Sequence, residues 1–430
     1  LSAGKSVGSR IVAGPARVIL SPNQIKDVQP GDVLVTTMTD PDWVPIMKLA
    51  CAIVTDQGGR TSHAAIVSRE LGIAAVVGTG DATTKIKTGE MITVDCSSGE
   101  VGRIFKGELD FNVETVEVEG LKPLPVELMV NVGNPDEAFK AAIIPNDGVG
   151  LARLEFIIAS TIQAHPMAFV EPEKMDEQAR IELEKIMLGE KKGADFFVDV
   201  LAREVATISA AFYPKPVIVR FSDFKSNEYR GLLGGKFFEP TEENPMLGLR
   251  GASRYSHKLY CEAFKLECKA MCKVRETIGM TNVKLMLPFV RTVEEAKNVI
   301  ELLEQNGLVR GKNGLELFMM CELPSNVLMM DEFSKHFDGF SIGSNDLTQF
   351  TFGLDRDSQL VQGIADERCE ALKRMVKMAI DGAKNNGKKI GICGQAPSDY
   401  PEFVKFLVET GIDSISLTSD SLLKIRKHIG

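Results

Sequence analysis

The stretch TDQGGRTSHAAIVSR, residues 55–69, joins an apolar strand at residues 52–54 to a helix through paired glycines and a polar Thr-Ser-His step. The glycines permit a sharp turn, and the apolar face that includes Ala65, Ile66 and Leu71 predicts a helix starting at His63. At a helix N-terminus the unpaired N–H groups and the helix dipole favour an anion. An isolated histidine is more often structural, but this setting predicts that His63 carries a phosphoryl group.

Short strands punctuated by glycine surround this stretch and predict a β-rich N-terminal domain over residues 1–105. We expect strands at residues 10–13, 16–19, 32–35, 52–54, 74–77 and 91–95, with helices at about 43–50 and 63–71. Residues 106–125 turn acidic and lose their periodicity, which is typical of an interdomain linker.

Beyond the linker, strand-like apolar runs alternate with long helical patterns, as in parallel βα units. Eight runs are expected as strands, at residues 127–130, 148–151, 216–219, 283–287, 317–320, 339–342, 389–392 and 414–417. Eight strands close a (β/α)₈ TIM barrel, so we predict one over residues 126–430. The fold class is therefore α/β, with a β-rich domain followed by the barrel.

Chemistry in such barrels is found where the strands end, and polar residues follow several of the expected strands. The candidates are Arg153, Arg220, Glu322, Gly343, Ser344, Asn345 and Asp346, with Arg250 in the insertion after the third strand. Arginines bind carboxylate or phosphate through two hydrogen bonds, and a pair of carboxylates is a typical Mg²⁺ site. Together they predict a small anionic substrate that chelates Mg²⁺, although Glu322 and Asp346 as rim salt bridges stay an alternative.

Cys393 follows the seventh expected strand between Gly391 and Gly394, which we interpret as leaving room for a ligand. A thiol of ordinary pKa is mostly protonated near pH 7 and suits general acid chemistry better than nucleophilic attack. A metal ion that polarises a carbonyl oxygen stabilises the negative charge of an enolate. Together with a proton-donating thiol, it predicts enolate formation or the reverse reaction. A small buried core residue is the alternative for Cys393.

The 430-residue composition excludes several classes of protein. A net charge of -9 argues against a nucleic-acid surface, and no apolar run is long enough to span a membrane. Eight scattered cysteines without CxxC pairs indicate a reduced, cytoplasmic compartment. The chain begins at Leu1 rather than Met, which suggests a processed or truncated product.

Residues 58–66, GGRTSHAAI, resemble the phosphohistidine motif of the phosphoenolpyruvate (PEP)-utilising enzymes. The barrel segments GLARLEF (150–156), NP (244–245), SIGSNDLTQ (341–349) and GICG (391–394) resemble the PEP-binding domain of that superfamily. Within it, RFSDFKSNEY (220–229) and MTDPDW (38–43) are most similar to the PEP synthases. The resemblance covers nearly the whole chain.

The resemblance implies roles for individual residues. His63 is the phosphorylated carrier on a swivelling β/β/α domain, and Cys393 donates and removes the methyl proton of pyruvate. Glu322 and Asp346 hold Mg²⁺, and Thr61 matches a threonine modified by a regulatory kinase/phosphorylase. The implied substrate contacts are Arg153, Arg220, Arg250, Glu322, Gly343, Ser344, Asn345 and Asp346.

By the same resemblance, the full reaction converts ATP, pyruvate and water to AMP, PEP and phosphate. Nothing in the chain resembles the ATP-grasp domain that charges the histidine, so we expect a fragment competent for the pyruvate/PEP half reaction. The family forms homodimers through the barrel, which implies one here. A pyruvate phosphate dikinase, a PEP-dependent phosphocarrier feeding a partner protein, and a catalytically silent binding module are the alternatives.

Overall fold

The computed structural model describes residues 1–59, 62–97, 101–111, 123–187, 193–355, 358, 360–361 and 363–429. Seven strands of these residues form an N-terminal unit: β1 (Ser2–Val7), β2 (Ile11–Val18), β3 (Val33–Thr36), β4 (Ala52–Thr55), β5 (Ala74–Val77), β6 (Met91–Asp95) and β7 (Val101–Lys106). They close into a barrel of order β1-β5-β4-β3-β2-β6-β7. Strands β2 to β5 pair in parallel, while β1, β6 and β7 pair antiparallel.

Three helices accompany this unit: α1 (Val44–Met47), α2 (His63–Glu70) and α3 (Ala82–Lys85). Helix α2 follows β4 and packs against β4 and β5, and its Ala64, Ala65 and Val67 are buried. Alternating exposed and buried residues in β7 place one face of that strand towards the interior. The barrel interior is filled by small and β-branched side chains such as Val54, Val76 and Val94.

The second barrel is parallel throughout and closes in the order β10-β11-β12-β13-β14-β15-β8-β9. Its strands are β8 (Glu127–Val132), β9 (Val149–Arg153), β10 (Val217–Arg220), β11 (Val283–Leu287), β12 (Leu317–Cys321), β13 (Gly339–Ile342), β14 (Lys389–Ile392) and β15 (Ser414–Leu417). These strands are almost completely buried, as expected when helices cover a parallel sheet.

The helices of this part are α4 (Ala138–Ile143), α5 (Leu154–Ile157), α6 (Glu177–Ile186), α7 (Ala194–Phe212), α8 (Ser226–Gly231), α9 (Ala252–Tyr255), α10 (Cys261–Cys272), α11 (Val293–Gln305), α12 (Pro324–Leu328), α13 (Met330–Phe333), α14 (Ser344–Phe352), α15 (Glu370–Asn385), α16 (Ala396–Asp399), α17 (Pro401–Thr410) and α18 (Ser419–Ile429). Short 3₁₀ or π segments lie at Pro22–Asp27, Pro41–Trp43, Pro135–Glu137, Ile158–Ile162, Pro166–Phe169, Pro172–Lys174, Gly235–Phe237, Lys273–Thr277 and Lys312–Gly314. One continuous apolar core fills the space between strands and helices.

The eight predicted barrel strands are confirmed, with ends that differ by at most two residues. In the N-terminal unit the sequence did not predict β1 and β7. The strands expected at residues 10–13 and 16–19 form one continuous strand, β2. β2 stays continuous because Gly14 lets it approach its neighbours closely: a Cβ there would lie 2.6 Å from the Gly31 carbonyl oxygen. The predicted linker lies largely outside the described residues, so the domain boundaries stay predictions.

Among the described residues, no helix has the length and apolar character needed to cross a membrane.

Candidate active site at the barrel mouth

A cavity of about 480 Å³ lies between the mouth of the second barrel and the face of the N-terminal unit that carries His63. Side chains from both units line it. The sequence-predicted residues among them are His63, Arg153, Arg220, Arg250, Glu322, Gly343, Asn345, Asp346 and Cys393. Positions more than 300 residues apart in the sequence therefore share one cavity.

The barrel supplies most of these side chains from the carboxyl ends of its strands. Arg153 and Arg220 are the last residues of β9 and β10. Glu322, Gly343 and Cys393 each come directly after a strand, β12, β13 and β14 respectively. Because all eight strands are parallel, their carboxyl ends meet at one rim.

His63 is positioned by the turn that precedes α2. Gly58 has φ +108, and a Cβ there would lie 2.7 Å from the Ser62 hydroxyl oxygen, so the turn requires glycine. His63 is the first residue of α2, as predicted. Its Nδ1 lies 3.0 Å from the hydroxyl oxygen of Thr39, which restricts the orientation of the imidazole.

Arg250 lies at the centre of a buried charge network. Its Nε and Nη2 each donate to a carboxylate oxygen of Asp223 at 2.9 Å, and Nη2 also donates to Asp346 at 3.1 Å. The guanidinium carbon lies 4.1 Å from the centroid of the Phe289 ring. Flanking carboxylates raise the pKa of Arg250, although burial opposes this, and the charge is therefore permanent. The network orients a cation that is ready to bind an anion.

Arg220 is held in a similar way by Glu155. Its Nη2 donates to Glu155 at 3.0 Å, and the same carboxylate accepts from the backbone N–H of Asp223. The second oxygen of Glu155 is buried without a hydrogen-bond partner, and burial raises the pKa of that carboxyl. Glu155 and Asp223 thus connect two of the three arginines through the loop after β10.

Glu322 combines complete burial with an unsatisfied oxygen. One carboxylate oxygen accepts from the backbone N–H of Phe289 at 2.6 Å, whereas Oε2 has no hydrogen-bond partner. Burial, and then the negative charges of Asp346 and Asp223, raise the pKa of Glu322 above its ordinary value. A buried unpartnered oxygen beside a second carboxylate is an environment that a divalent cation would stabilise. These residues therefore fit Mg²⁺, with two carboxylates and no third His, Cys, Asp or Glu close enough among the described residues.

Cys393 is buried in an apolar floor below this network. Its Sγ lies 3.9 Å from the Met320 sulfur and 3.8 Å from the Ile342 carbonyl oxygen. Burial raises the pKa of the thiol, and this outweighs the opposing influence of Ser341 and two arginines. The floor consists of Leu151, Ile218, Met286, Phe318 and Met320. Cys393 is therefore a neutral thiol at neutral pH, placed between apolar and cationic surroundings.

Serine side chains pack against the two glycines that flank Cys393. A Cβ on Gly394 would lie 1.7 Å from the Ser344 hydroxyl oxygen, and one on Gly391 would lie 2.2 Å from that of Ser414. That a ligand can approach Cys393 stays a prediction, and both Cys393 and Gly394 line the cavity. Gly343 differs, since a Cβ there would lie 2.8 Å from Oε2 of Glu322 and would intrude on the cavity.

Two predicted residues are not brought into the cavity by the described structure. The hydroxyl of Ser344 donates to the buried Glu367 instead. Thr61, together with Arg60, lies outside the described residues, so its regulatory role stays a prediction.

Sequence reasoning missed several residues that line the cavity, among them Thr39, Glu70, Glu155 and Asp223. Signals for three of them were present in the chain. Glu155 and Asp223 follow predicted arginines by two and three positions, and Glu70 lies two helical turns after His63. Nothing near Thr39 in the sequence indicates a contact with His63, because 24 residues separate them.

Family comparison accounts for both halves of this site. Residues 112–430 match the family described as PEP-utilising enzyme, PEP-binding domain, and residues 28–99 match PEP-utilising enzyme, mobile domain. The chain belongs to the PEP-utilising enzymes. The cavity of this PEP-utilising enzyme lies between the two matched regions.

Individual relatives agree with this assignment. The chain is 59% identical over 428 residues to a phosphoenolpyruvate synthase of Synechocystis sp., covering 99% of this chain and 52% of the relative. It is 54% identical to the Escherichia coli phosphoenolpyruvate synthase, covering 99% and 54% respectively. This PEP-utilising enzyme therefore spans about half the length of the curated relatives it matches.

Solved structures give only a remote likeness. A Haloferax volcanii malate synthase lead(II) complex superposes with a TM-score of 0.40 at 11% identity, covering 71% of this chain and 72% of that one.

Proposed function

We propose that this chain transfers a phosphoryl group between His63 and the enolate of pyruvate, forming PEP. One observation carries the proposal: the histidine at the start of α2, three arginines, a carboxylate pair and a buried thiol line the same cavity. The chain's similarity to phosphoenolpyruvate synthases over 98–99% of its length supports it.

In the proposed reaction, arginines bind the substrate and Cys393 handles its proton. Arg153, Arg220 and Arg250 bind the carboxylate and phosphoryl oxygens through charge-assisted hydrogen bonds. The thiol of Cys393 first gives its proton to solvent. The thiolate then takes a proton from the pyruvate methyl group, and the oxygen of the resulting enolate attacks phosphorus. The N–P bond of phospho-His63 breaks as the O–P bond of PEP forms. In reverse, the neutral thiol protonates the methylene carbon.

Glu322 and Asp346 would hold Mg²⁺ at this mouth. The unpartnered, buried oxygen of Glu322 supports this assignment. When bound, the ion would polarise the carbonyl oxygen and stabilise the negative charge of the enolate. The barrel's own contribution is to keep both carboxylates fixed, through Phe289 for Glu322 and Arg250 for Asp346.

For the whole protein, we propose the conversion of ATP, pyruvate and water to AMP, PEP and phosphate, with an ATP-grasp domain charging His63. This rests on the names and greater length of the relatives. A homodimer and a regulatory kinase/phosphorylase acting at Thr61 remain predictions. So does the cytoplasmic location, which the eight unpaired cysteine thiols support.

Radiolabelled PEP tests the half reaction. With Mg²⁺ present, the chain should acquire an acid-labile phosphoryl label that pyruvate removes, and His63→Ala should acquire none. His428→Ala, which changes an exposed histidine of α18, serves as the matched control. Absence of label in the wild type, or label retained in His63→Ala, would contradict the proposal. Label that pyruvate does not remove would favour a phosphocarrier serving another acceptor.

A further inference from the structure

The last residue of α2, Glu70, contacts the barrel directly. Its carboxylate lies 2.5 Å from Nη1 of Arg153, and the two side chains are 9% and 24% exposed. Residues seven apart on a helix lie on the same face, so α2 directs both His63 and Glu70 towards the barrel mouth. The carboxylate of Glu70 in the N-terminal unit therefore forms an ion pair with Arg153, which lines the candidate active site.

The barrel has a fitted recess for this carboxylate at Gly133, directly after β8. A Cβ on Gly133 would lie 1.9 Å from Oε2 of Glu70. Gly133 is not among the glycines with positive φ, so its backbone does not require glycine. The observable effect of glycine here is the space that it leaves for Glu70.

Other contacts hold the two units together independently of Glu70. Phe156 of the barrel is buried in the apolar cluster of the N-terminal unit that includes Trp43 and Ala64. Lys48 donates to the Ser160 carbonyl oxygen at 3.2 Å, and Arg69 lies 3.6 Å from Asp399. Loss of the Glu70 contact should weaken docking without abolishing it.

Arg153 cannot serve Glu70 and a substrate phosphoryl group with the same donor at once. Of the three arginines at the mouth, it is the one paired with the N-terminal unit, the side from which a phosphoryl group on His63 would arrive. We propose that Glu70 is a docking residue that holds Arg153 while the mouth contains no phosphoryl group and gives it up to the phosphoryl group of a phosphorylated enol substrate. This inference rests on the proposed function of the site.

Competition for Arg153 couples docking to ligand binding in both directions. To bind Arg153, the phosphoryl group must replace the Glu70 carboxylate, so the free energy of that ion pair is lost from the affinity for the phosphoryl group. By linkage, a bound phosphoryl group weakens docking of the N-terminal unit by the same factor. Newly formed PEP therefore favours departure of the N-terminal unit. Pyruvate has no phosphoryl group and leaves the ion pair intact.

Calorimetric titration of the 430-residue chain with PEP, and separately with pyruvate, measures this coupling in Mg²⁺-containing buffer. Every variant in this titration also carries His63→Ala, so that PEP binds without transferring its phosphoryl group. Glu70→Gln removes the competing charge, and Gly133→Ala displaces the carboxylate while retaining it. Both should bind PEP about three- to ten-fold more tightly, as expected for release of a partly exposed ion pair, with pyruvate affinity unchanged. Glu90→Gln makes the same charge change at Glu90, whose partner Lys106 lies in the N-terminal unit, and should change neither affinity.

Unchanged or weaker PEP binding in both Glu70→Gln and Gly133→Ala would overturn the proposal. Equal tightening in Glu90→Gln, or equal tightening for pyruvate, would also overturn it, because net charge would then be the cause. Small-angle X-ray scattering without ligand adds a direct readout of docking: the radius of gyration should rise in both test variants and not in Glu90→Gln.

These outcomes are separable from the fate of the proposed function. If PEP labels His63 but the Glu70 variants bind PEP no more tightly, the proposed function is supported and the competition for Arg153 is contradicted. A chain that acquires no label, but whose Glu70 and Gly133 variants bind PEP more tightly, contradicts the proposed function and supports the competition for Arg153.

Discussion

Asp223 holds the guanidinium of Arg250 with two parallel hydrogen bonds, each of 2.9 Å, and both side chains are almost fully buried. Paired geometry of this kind fixes the plane of the guanidinium as well as its position. Asp346, in the first turn of α14, contacts the same guanidinium. Arg250 is therefore oriented before any substrate arrives, which makes Asp223 a positioning residue for the proposed site.

Replacing this carboxylate tests that role. Asp223→Asn keeps the shape but leaves the Arg250 guanidinium with only Asp346 as an ionised partner. We expect kcat/KM for isotope exchange between labelled pyruvate and PEP to fall by about 100-fold, or about 3 kcal/mol of transition-state stabilisation. Steady-state kinetics measures it. Asp381→Asn, at an exposed pair with Lys377, should change it by less than about two-fold; comparable losses in the two variants would contradict the prediction.

The hydrogen bond between Thr39 and His63 predicts which ring nitrogen is phosphorylated. Because Thr39 engages Nδ1, we expect the phosphoryl group on Nε2. Thr39→Val should slow phosphorylation about ten-fold by removing a bond that orients the ring. Phosphorus and nitrogen NMR of the labelled protein identifies the position, and rapid-quench measurements give the rate. Thr37→Val is the control, and a phosphoryl group on Nδ1 would show the prediction to be wrong.

Glu322 should determine divalent cation affinity. Glu322→Gln removes the charge but preserves the acceptor for the Phe289 N–H. We expect Mn²⁺, used as a probe for Mg²⁺, to bind at least about ten-fold more weakly, since a hard cation prefers charged oxygen ligands. Electron paramagnetic resonance of free Mn²⁺ measures this without reference to activity. Glu316→Gln, at a half-exposed position paired with Lys284, should bind Mn²⁺ like the wild type.

Cys393 should be required for proton exchange and not for binding. Cys393→Ala removes the thiol from the apolar floor but leaves the arginines in place. We expect exchange of the pyruvate methyl protons with solvent deuterium to slow by at least about 100-fold, while PEP affinity changes less than about three-fold. Proton NMR follows the exchange. Cys369→Ala is the matched control, and undiminished exchange in Cys393→Ala would remove the thiol from the mechanism.

Glu267 predicts a pH-dependent contribution to stability. Burial raises its pKa to about 7, although Ser222 and Tyr260 donate hydrogen bonds to it. A folded-state pKa above the ordinary 4.5 gives a contribution that is complete below that pH and lost as pH rises through about 7.

Glu267→Gln, which stays neutral, should therefore gain about 3 kcal/mol relative to wild type between about pH 4 and about pH 8. Urea unfolding at both pH values measures the difference, with Glu301→Gln on the exposed face of α11 as control. A difference in unfolding free energy that does not vary with pH would contradict this prediction.

The barrel could be predicted from the sequence because its strands are local features. Eight short apolar runs separated by helical periodicity are visible in the chain, and all eight form strands. In the N-terminal unit the same approach failed for β1, whose residues are mostly polar or small, and for β7, in which apolar and charged residues are mixed. Both strands pair with residues far away in the chain, which a local pattern does not display. The glycine at position 14 also led the sequence analysis to divide β2 into two strands.

The candidate site was partly predictable for a related reason. Residues that end a strand, such as Arg153 and Arg220, carry a positional signal that the sequence displays. Thr39 carries none, because its partner His63 lies 24 residues away in the chain. The position of Glu70 indicates that it shares a helix face with His63, but not that it contacts Arg153 of the barrel. The sequence also did not show that Ser414 and Ser344 pack against Gly391 and Gly394, because it does not tell which side chain lies beside a glycine.

By itself, the sequence determined the type and order of the barrel elements and placed His63 at a helix start, because apolar periodicity and turn residues act over a few positions. Only the tertiary structure decided that Asp223 would orient Arg250, that Thr39 would engage His63, and that Glu70 would reach Arg153 at the mouth. These relationships depend on how closed sheets and packed units bring distant residues within hydrogen-bonding distance. That distance is a property of the folded chain alone.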